Sequence, residues 1–338
     1  MKLAIHHREG SFSDRWIAYC KEQGIRFKIV NCYDTNIIEH LKDCNALMWH
    51  HHHADNKDVI TAKRILFALE QGGIKVFPNF KTGWHFDDKV AQKYLLESIN
   101  APLVPSYVFY DKKEALGWAN VTIYPKVFKL KGGAGSANVK LVRTKAQCIK
   151  FINKAFGKGF KQFDGKTNFL DTIKKYKSGT KSFKQVIKSF GRVLVSTDYA
   201  KNAKNEKGYA YFQEFLPNND SDIRVIIIGK KAFAVKRLTL KNDFRASGSG
   251  EKKYDTEEID FRCIEKAFEI NKKIKAQSIG YDFIFDKNKN PLIVEIGYGF
   301  AIEFYDPCPG YWTEDMQFHK GEFVPQNWMV QDMIESIK

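Results

Sequence analysis

The feature that most constrains the fold of this sequence is the alternation of strand-like and helix-like segments over residues 1–77. Apolar runs of three to five residues alternate with longer segments whose apolar residues recur at helical spacing. Strands and helices that take turns in this way predict a small parallel α/β unit. The strand-like runs are Leu3–His6, Phe27–Asn31, Ala46–His50 and Lys75–Phe77, and the helix-like segments between them are Ser13–Gln23, Asn36–Asp43 and Val59–Glu70.

Polar residues follow the predicted strands at the positions where ligands bind to such sheets, beyond the carboxyl ends. The first strand runs into His6-His7-Arg8, and the third is followed by the run His50–His53. Successive residues of a strand point to opposite faces, so four consecutive histidines do not converge on one metal ion. A polar rim that hydrogen-bonds a substrate and an inert loop are the remaining interpretations.

The chain has 338 residues, enough for two or three packed units, and a formal net charge of +16. Much of that excess lies between Phe151 and Lys207, where 14 Lys and Arg face 4 Asp and Glu. Aromatic residues recur there at helical spacing, which is typical of helices with lysine-rich solvent faces. A basic solvent face and a site for a polyanion both account for this segment.

The sequence contains no run of about 18 apolar residues, so we expect no membrane span. The N-terminal MKLAIHHREG reaches histidine and charge too early for a signal peptide, and we expect a cytoplasmic protein. Six cysteines form no CxxC pair, so we expect free thiols that are mostly buried.

The segment Phe128–Val139, FKLKGGAGSANV, combines two lysines with a glycine-rich stretch. It is not a Walker loop, because no Gly-Lys-Ser/Thr follows, and Asn138 replaces the third glycine of a dinucleotide fingerprint. A flap whose backbone N–H groups close over phosphates, with Lys129 as countercharge, fits these residues. A structural hairpin turn fits them equally well.

Three later segments favour the phosphate interpretation. Tyr211–Leu216, YFQEFL, is an apolar strand suited to presenting backbone groups to an adenine edge, and Ser221–Arg245 predicts a basic hairpin turned at Gly229-Lys230. Gly280–Gly299 predicts a second hairpin, with Asp282 in one strand and Glu295 in the other. Carboxylates on paired strands can meet across the ladder and hold Mg²⁺ together with nucleotide phosphates.

The order of these pieces resembles the ATP-grasp superfamily, and their spacing is most similar to the branch of the ribosomal-protein glutamate ligase and bacterial glutathione synthetase. The resemblance runs from about Asp87 to Phe300. It implies an α/β and α+β protein in which a small parallel α/β domain precedes an ATP-grasp fold of two α+β subdomains. The predicted units are residues 1–85, the N-terminal domain; 86–145, a linker helix and first subdomain; 146–310, the second subdomain with the basic insertion 151–207; and 311–338, a C-terminal tail.

The resemblance also implies roles for individual residues. Catalytic roles fall to Lys129 and to Arg245, which would steady the transferred phosphoryl group, and Mg²⁺ would be held by Asp282 and Glu295. The residues implied to bind ATP are Lys89, Lys129, Gly132, Gly133, Gly135, Ser136, Gln213, Glu214, Phe215, Leu216, Asp222 and Arg245. The superfamily usually has Glu-x-Asn at the end of the last strand, where this chain has Glu295-Ile296-Gly297. Water, Glu303 or loss of activity would account for the missing asparagine.

The implied activity is an ATP-dependent, ADP-forming ligation of a carboxylate to an amine through an acyl-phosphate, with ATP and Mg²⁺, or Mn²⁺ in its place, as cofactors. The substrates would be a carboxylate and an amine, one of them a small acid, an acidic glycan or another polyanion; nucleic acid is not expected as a partner. A phosphotransferase of the same fold and a basic polyanion-binding protein are the alternatives. We expect the substrate near the tail segment Asp306–Trp312 and a polar rim formed by His6, His7, Arg8, Ser11, His50, His51, Arg224 and Arg237.

Overall fold

The structure is a computed structural model, and it describes residues 1–132, 138–161, 172–173, 176, 182, 205–239, 244–245 and 251–338. Its first unit is a sheet of four parallel strands in the order β2-β1-β3-β4. This confirms the predicted parallel α/β unit, and it brings the carboxyl ends of β1 and β3 side by side. The strands are β1 (Leu3–His6), β2 (Phe27–Val30), β3 (Ala46–Trp49) and β4 (Lys75–Phe77), and the helices are α1 (Phe12–Glu22), α2 (Ile37–His40) and α3 (Asn56–Gln71).

A short helix, α4 (Phe80–Gly83), and a longer one, α5 (Lys89–Ser98), connect this sheet to the rest of the chain. Helix α5 begins after Asp88, whose side chain accepts hydrogen bonds from the backbone N–H groups of Val90 and Ala91. Asp87, the residue before this cap, has a left-handed φ of 56°. The turn before α5 therefore places Lys89 at the first position of the helix.

The second sheet has four antiparallel strands in the order β5-β8-β6-β7. Phe128 and Phe212 from its central strands pack with Ile152 and Cys148 of the covering helix in one core. The elements are β5 (Ser106–Phe109), α6 (Lys112–Val121), β6 (Lys126–Lys129), β7 (Lys140–Val142), α7 (Lys145–Ala155) and β8 (Ala210–Glu214).

The third sheet has seven strands, with β13-β12-β9-β10-β14-β15 in order and β11 paired to β10. The two predicted hairpins are confirmed: β9 and β10 turn at Gly229-Lys230, and β12 and β13 pair antiparallel. The elements are β9 (Ser221–Ile228), β10 (Lys231–Leu238), β11 (Lys252–Lys253), α8 (Phe261–Ile274), β12 (Ser278–Phe285), β13 (Pro291–Gly297), β14 (Gly310–Thr313), β15 (Phe318–Lys320) and α9 (Pro325–Ile337), with 3₁₀ turns at Thr256–Glu258 and Ile302–Phe304.

The segment Asp306–Trp312 does not lie where a substrate was expected. Asp306 accepts two hydrogen bonds from the guanidinium of Arg15, and Trp312 is buried in β14, which pairs with β10. Because the segment completes a sheet, its residues are structural, and that prediction is wrong.

Helix α9 packs against the N-terminal unit, where Trp328, Met329 and Met333 share a core with Trp16 and Cys20. The region predicted as a tail thus contains two strands and a helix, and the division into four units remains a prediction. All six cysteines are free and buried, as expected. Within the described ranges, no helix is both long and apolar enough to cross a membrane.

Candidate active site

A cleft of about 550 Å³ opens between the second and third sheets and reaches the carboxyl edge of the first. Its central part is apolar, with Val127 of β6 on one side and Ile284 and Val294 of β12 and β13 on the other. The predicted residues that line the cleft are Arg8, His50, His51, Lys89, Lys129, Gln213, Glu214, Phe215, Leu216, Asp222, Arg224, Arg237, Arg245, Asp282 and Glu295.

Asp282 and Glu295 meet across the β12–β13 ladder as the sequence predicts, because the register pairs them directly. A bulge follows between Asp282 and Phe283. Both carboxylates line the cleft, and Asp282 Oδ1 is buried without a hydrogen-bond partner.

Two arginines from the β9–β10 hairpin hold Asp282. Arg237 Nη2 lies 3.0 Å from Asp282 Oδ2, and Arg224 Nη1 lies 3.5 Å from Oδ1. Burial raises the pKa of Asp282, but the two guanidinium groups outweigh burial, so its net pKa lies below the ordinary value and the carboxylate is ionised.

Asp222, predicted to contact the nucleotide, is the bidentate partner of Arg237. The Nε and Nη2 atoms of Arg237 donate to the two carboxylate oxygens at 2.7 and 2.5 Å. Both side chains are buried, and the ion pair links β9 to β10, the two strands of the basic hairpin. Asp222 thereby fixes the orientation of the guanidinium that approaches Asp282.

Lys89 lies on the opposite side of the carboxylate pair, with its Nζ 3.1 Å from Glu295 Oε1. The lysine is almost fully buried. Burial lowers its pKa, but Glu295 and Asp87 outweigh this effect, and the net pKa lies above the ordinary value. Lys89 is therefore a permanent cation at the end of the cleft.

Lys129 lies at the end of β6 and donates to Gln213 Oε1 at 2.6 Å. Gln213 is held in turn, because its Nε2 donates to Ser106 Oγ at 3.0 Å. Burial lowers the pKa of Lys129 to about 8, against the opposing effect of Glu295. This lysine therefore titrates close to neutral pH, unlike Lys89.

Gln213 and Glu214 are neighbours in β8, so their side chains leave opposite faces of the strand. The Glu214 carboxylate is bonded to Lys126 and accepts from Tyr107 Oη at 3.0 Å. Lys126, which the sequence interpretation missed, thus fixes this carboxylate at the edge of the cleft.

The glycine-rich segment lies partly outside the described residues, since Gly133, Gly135 and Ser136 are among those not described. Gly132 is buried, and a Cβ there would lie 3.2 Å from Glu206 Oε1 and 3.4 Å from Asp87 Oδ2. A glycine is needed at this position because two carboxylates approach the backbone closely.

The predicted substrate rim divides into two groups, since Arg8, His50 and His51 line the cleft but His6, His7 and Ser11 do not. The buried His6 Nδ1 accepts from Cys32 N at 3.0 Å, and burial lowers its pKa to about 4. Ser11 caps α1, and His7 Nδ1 lies 3.0 Å from Ser13 Oγ. Ser11 and His7 thus order the start of α1, and His6 holds the turn after β2. Their role at a substrate rim stays a prediction.

The family model of the RimK-like ATP-grasp domain matches residues 142–305.

The chain contains a RimK-like ATP-grasp domain.

The chain is 21% identical over 242 residues to the alpha-aminoadipate–LysW ligase LysX of Saccharolobus solfataricus, covering 71% of this chain and 70% of that protein. Among solved structures, it is similar to the biotin carboxylase domain of the Hydrogenobacter thermophilus 2-oxoglutarate carboxylase, with a TM-score of 0.60 and 16% identity over 98% of this chain and 69% of that one. It is also similar to a RimK-domain ATP-grasp protein from Sphaerobacter thermophilus, with a TM-score of 0.55 and 13% identity over 99% and 100% of the two chains. These structures share the ATP-grasp fold.

The ATP-grasp relatives of this chain are ADP-forming carbon–nitrogen ligases, and the chain is an ATP-grasp ligase with ATP and Mg²⁺ as cofactors. The residues of the cleft fit such a ligand. Its apolar side chains suit a base, and Lys89 and Lys129 suit phosphates. Asp282 Oδ1, which accepts no hydrogen bond from the described residues, and the carboxylate of Glu295 are oxygen atoms suited to Mg²⁺. Asp282 and Glu295 would hold the metal, together with phosphate oxygens and water.

Gly297 stands where the ATP-grasp pattern has asparagine. It is two residues beyond Glu295 on β13, so both positions share one face of the strand. A Cβ at Gly297 would meet no atom within 4 Å, and the exposed Glu303 does not line the cleft. Of the explanations for the missing asparagine, substitution by Glu303 is therefore wrong.

Several residues of the cleft were missed because only their position in the fold brings them there. Phe86 and Asp87 precede α5, and Phe300, Phe304 and Tyr305 follow β13. Their closeness in sequence to predicted site residues could have indicated them, since each lies within ten residues of Lys89 or Glu295.

Proposed function

We propose that this chain is an ATP-dependent carboxylate–amine ligase that works through an acyl-phosphate. The observation that carries the proposal is the cross-strand pair Asp282–Glu295 at the end of the cleft, between the cations Lys89 and Arg237. A carboxylate within an apolar strand is costly unless it is paired, and the side chains of Asp282 and Glu295, 16% and 36% exposed, both face the cleft beside cations.

ATP would lie along the cleft with its base against Val127 and Ile284. The backbone of Glu214, Phe215 and Leu216 would face the adenine edge, since these residues line the apolar part of the cleft. Lys89 and Lys129 would then contact the phosphates, and the glycine-rich segment, whose first glycine is Gly132, three residues after Lys129, would cover them.

The reaction needs no side-chain nucleophile. A carboxylate oxygen of the substrate attacks the γ-phosphorus, the bond to the β,γ-bridging oxygen breaks, and ADP leaves. The amine nitrogen then attacks the acyl carbon, the C–O bond to phosphate breaks, the amine loses a proton to solvent, and an amide and inorganic phosphate result. Lys129 and Arg245 would neutralise charge on the transferred phosphoryl group, and Mg²⁺, when bound, supplies further neutralisation.

We propose an acid or an acidic glycan as the carboxylate substrate and an amino acid as the amine. Arg8 and the histidines of the rim support an acceptor rich in oxygen atoms. The basic insertion 151–207, which would recruit a polyanion, lies largely outside the described residues. The cytoplasmic location remains a prediction.

ADP release tests the proposal when measured with a panel of acids, amino acids and both together. Dependence on both substrates and transfer of one ¹⁸O from labelled carboxylate to phosphate would support the ligase. ADP release with phosphorylated acid as the final product would instead indicate the phosphotransferase. Glu295→Gln should abolish ADP release, whereas Glu303→Gln, a matched change outside the cleft, should not. Retention on a polyanion without ADP release under any condition would leave only a binding protein.

A further inference from the structure

The cleft wall contributed by the N-terminal unit is formed by residues that follow two adjacent strands. Arg8 lies just beyond β1, and His50–His53 directly follow β3, which pairs with β1 in parallel. All five residues line the cleft. We call Arg8 and His50–His53 the donor wall.

Two atoms of the donor wall are buried and have no hydrogen-bond partner among the residues that the structure describes. One is Arg8 Nε, and the other is Nε2 of His51, whose residue is only 4% exposed. The ring of His51 is fixed between Phe86 and Tyr298, with centroid distances of 5.3 and 5.2 Å, and its carbonyl accepts from Tyr298 Oη. Polar atoms left unpaired in a rigid setting cost free energy, so their presence in a cleft indicates a ligand.

Local hydrogen bonds fix two other histidines of the wall as donors. His50 Nδ1 accepts from Phe12 N, and His52 Nδ1 accepts from Ala54 N, both at 3.1 Å. In neutral imidazoles the proton must then be on Nε2. Burial lowers the pKa of His52 to about 4 and that of His50 well below its usual range, so both rings are neutral donors near pH 7. The wall therefore combines one cation, Arg8, with uncharged N–H groups.

A chain of contacts joins the donor wall to the carboxylate pair. His50 Nε2 lies 3.6 Å from the position of a Cβ on Gly299, and the carbonyl of Gly299 accepts from Arg224 Nη2 at 3.3 Å. Arg224 in turn approaches Asp282. Only Gly299 and the guanidinium of Arg224 therefore lie between His50 of the donor wall and Asp282 of the carboxylate pair.

Between the donor wall and the β12–β13 hairpin, the cleft is lined by Gly297 and Gly299, which we call the glycine floor. A Cβ at Gly297 would meet no atom within 4 Å, so the space beside it is open. Phe86 and Phe300 stand beside it. An open glycine floor with aromatic sides accommodates a flat or ring-shaped molecule, since apolar ring faces pack against aromatic side chains.

We propose that the donor wall binds the carboxylate substrate and that this substrate is a polyhydroxy acid. This inference rests on the proposed function and names its substrate class. The carboxylate lies between Arg8 and Arg224, and hydroxyl oxygens accept from His50 and His52. Arg8 is the only cation of the donor wall and matches the carboxylate, whereas the neutral N–H groups match hydroxyl oxygens better than a further charge would.

Binding of defined probes tests this assignment. The probes are D-glucuronate, D-galacturonate and D-gluconate, compared with D-glucose, which lacks the carboxylate, and propionate, which lacks hydroxyls, by saturation-transfer NMR in the presence of MgADP. We expect at least one hydroxy acid to bind roughly tenfold or more tightly than either partial analogue. Arg8→Gln should weaken that binding about tenfold, and Arg8→Lys should restore part of it. Arg15→Gln is the matched control, because Arg15 pairs with Asp306 outside the cleft.

The thermal shift caused by MgADP separates the two proposals. If wild type responds to MgADP but binds none of the hydroxy acids, or if Arg8→Gln binds them as wild type does, the donor-wall assignment is overturned while the nucleotide site stands. If wild type binds propionate as tightly as the hydroxy acids, the substrate class is wrong. Absence of any MgADP shift in wild type would overturn the proposed function itself.

Discussion

Asp282 and Glu295 are direct partners across the β12–β13 ladder, and each is already paired with a cation in the absence of ligand. Lys89 holds Glu295, and Arg224 and Arg237 hold Asp282. A metal ion must therefore compete with these cations for the carboxylate oxygens. Nucleotide phosphates would relieve the competition by drawing Lys89 away from Glu295.

Metal affinity should consequently depend on nucleotide. We expect Mn²⁺, followed by its EPR signal, to bind weakly to the free protein and at least tenfold more tightly with ADP. Lys89→Met should strengthen Mn²⁺ binding without ADP, because Glu295 loses its competing cation. Equal Mn²⁺ affinity in wild type and Lys89→Met would show that the ion pair does not limit metal binding.

Nucleotide affinity should fall above pH 8. Lys129 has a pKa lowered by burial to about 8, so in the free protein it is charged below that pH and neutral above it. Since the charged form binds phosphate, the dissociation constant of ADP should rise by roughly tenfold per pH unit well above pH 8. Lys129→Arg keeps its charge at these pH values and should give a flat profile. If the dissociation constant of ADP rose with pH equally in wild type and Lys129→Arg, the titrating group would be one other than Lys129.

Gly297→Asn should add a metal ligand. A side chain at this position meets no atom within 4 Å and lies on the same strand face as Glu295. We expect titration with Mn²⁺ in saturating ADP to give a higher stoichiometry or affinity in Gly297→Asn than in wild type. The same substitution should weaken hydroxy-acid binding, because it fills the open floor. Unchanged metal and acid binding would mean that position 297 does not face the reaction centre.

Gly280→Ala should displace Arg224. The new methyl would lie 3.1 Å from Arg224 Nη2 and 3.2 Å from Nε, so the guanidinium must move away from Asp282 and Gly299. We expect ligation to slow by roughly tenfold to a hundredfold with little loss of stability, since the displaced group is the end of a flexible side chain. The control is Gly117→Ala in α6, where no atom lies within 4 Å of the new methyl, and thermal unfolding should show about 0.5–1 kcal/mol of added stability. Wild-type turnover in Gly280→Ala would exclude Arg224 from the reaction.

The carboxylate pair could be predicted from the sequence because it depends on local rules. Alternation along two strands and a turn at residues 288–290 fix the register that joins Asp282 to Glu295. The lysine of β6 and the glutamine of β8 were likewise found, although their hydrogen bond depends on pairing between distant segments.

Residues whose role depends on tertiary packing could not be placed in the same way. His6 ends a strand whose residues are all buried, so its ring faces Trp49 rather than the cleft. Asp306–Trp312 was expected near the substrate, but long-range pairing with β10 makes part of it a strand. Lys126 was missed because its partner Glu214 lies 88 residues away.

Calorimetric titration of ADP with and without Mg²⁺, on wild type, Glu295→Gln and the control Glu303→Gln, tests the central claim most directly. The account predicts that Mg²⁺ strengthens ADP binding to wild type and Glu303→Gln by at least tenfold, and that this gain is largely lost in Glu295→Gln. Failure of wild type to bind ADP, or an equal gain from Mg²⁺ in all three proteins, would contradict the assignment of this cleft as a magnesium–nucleotide site.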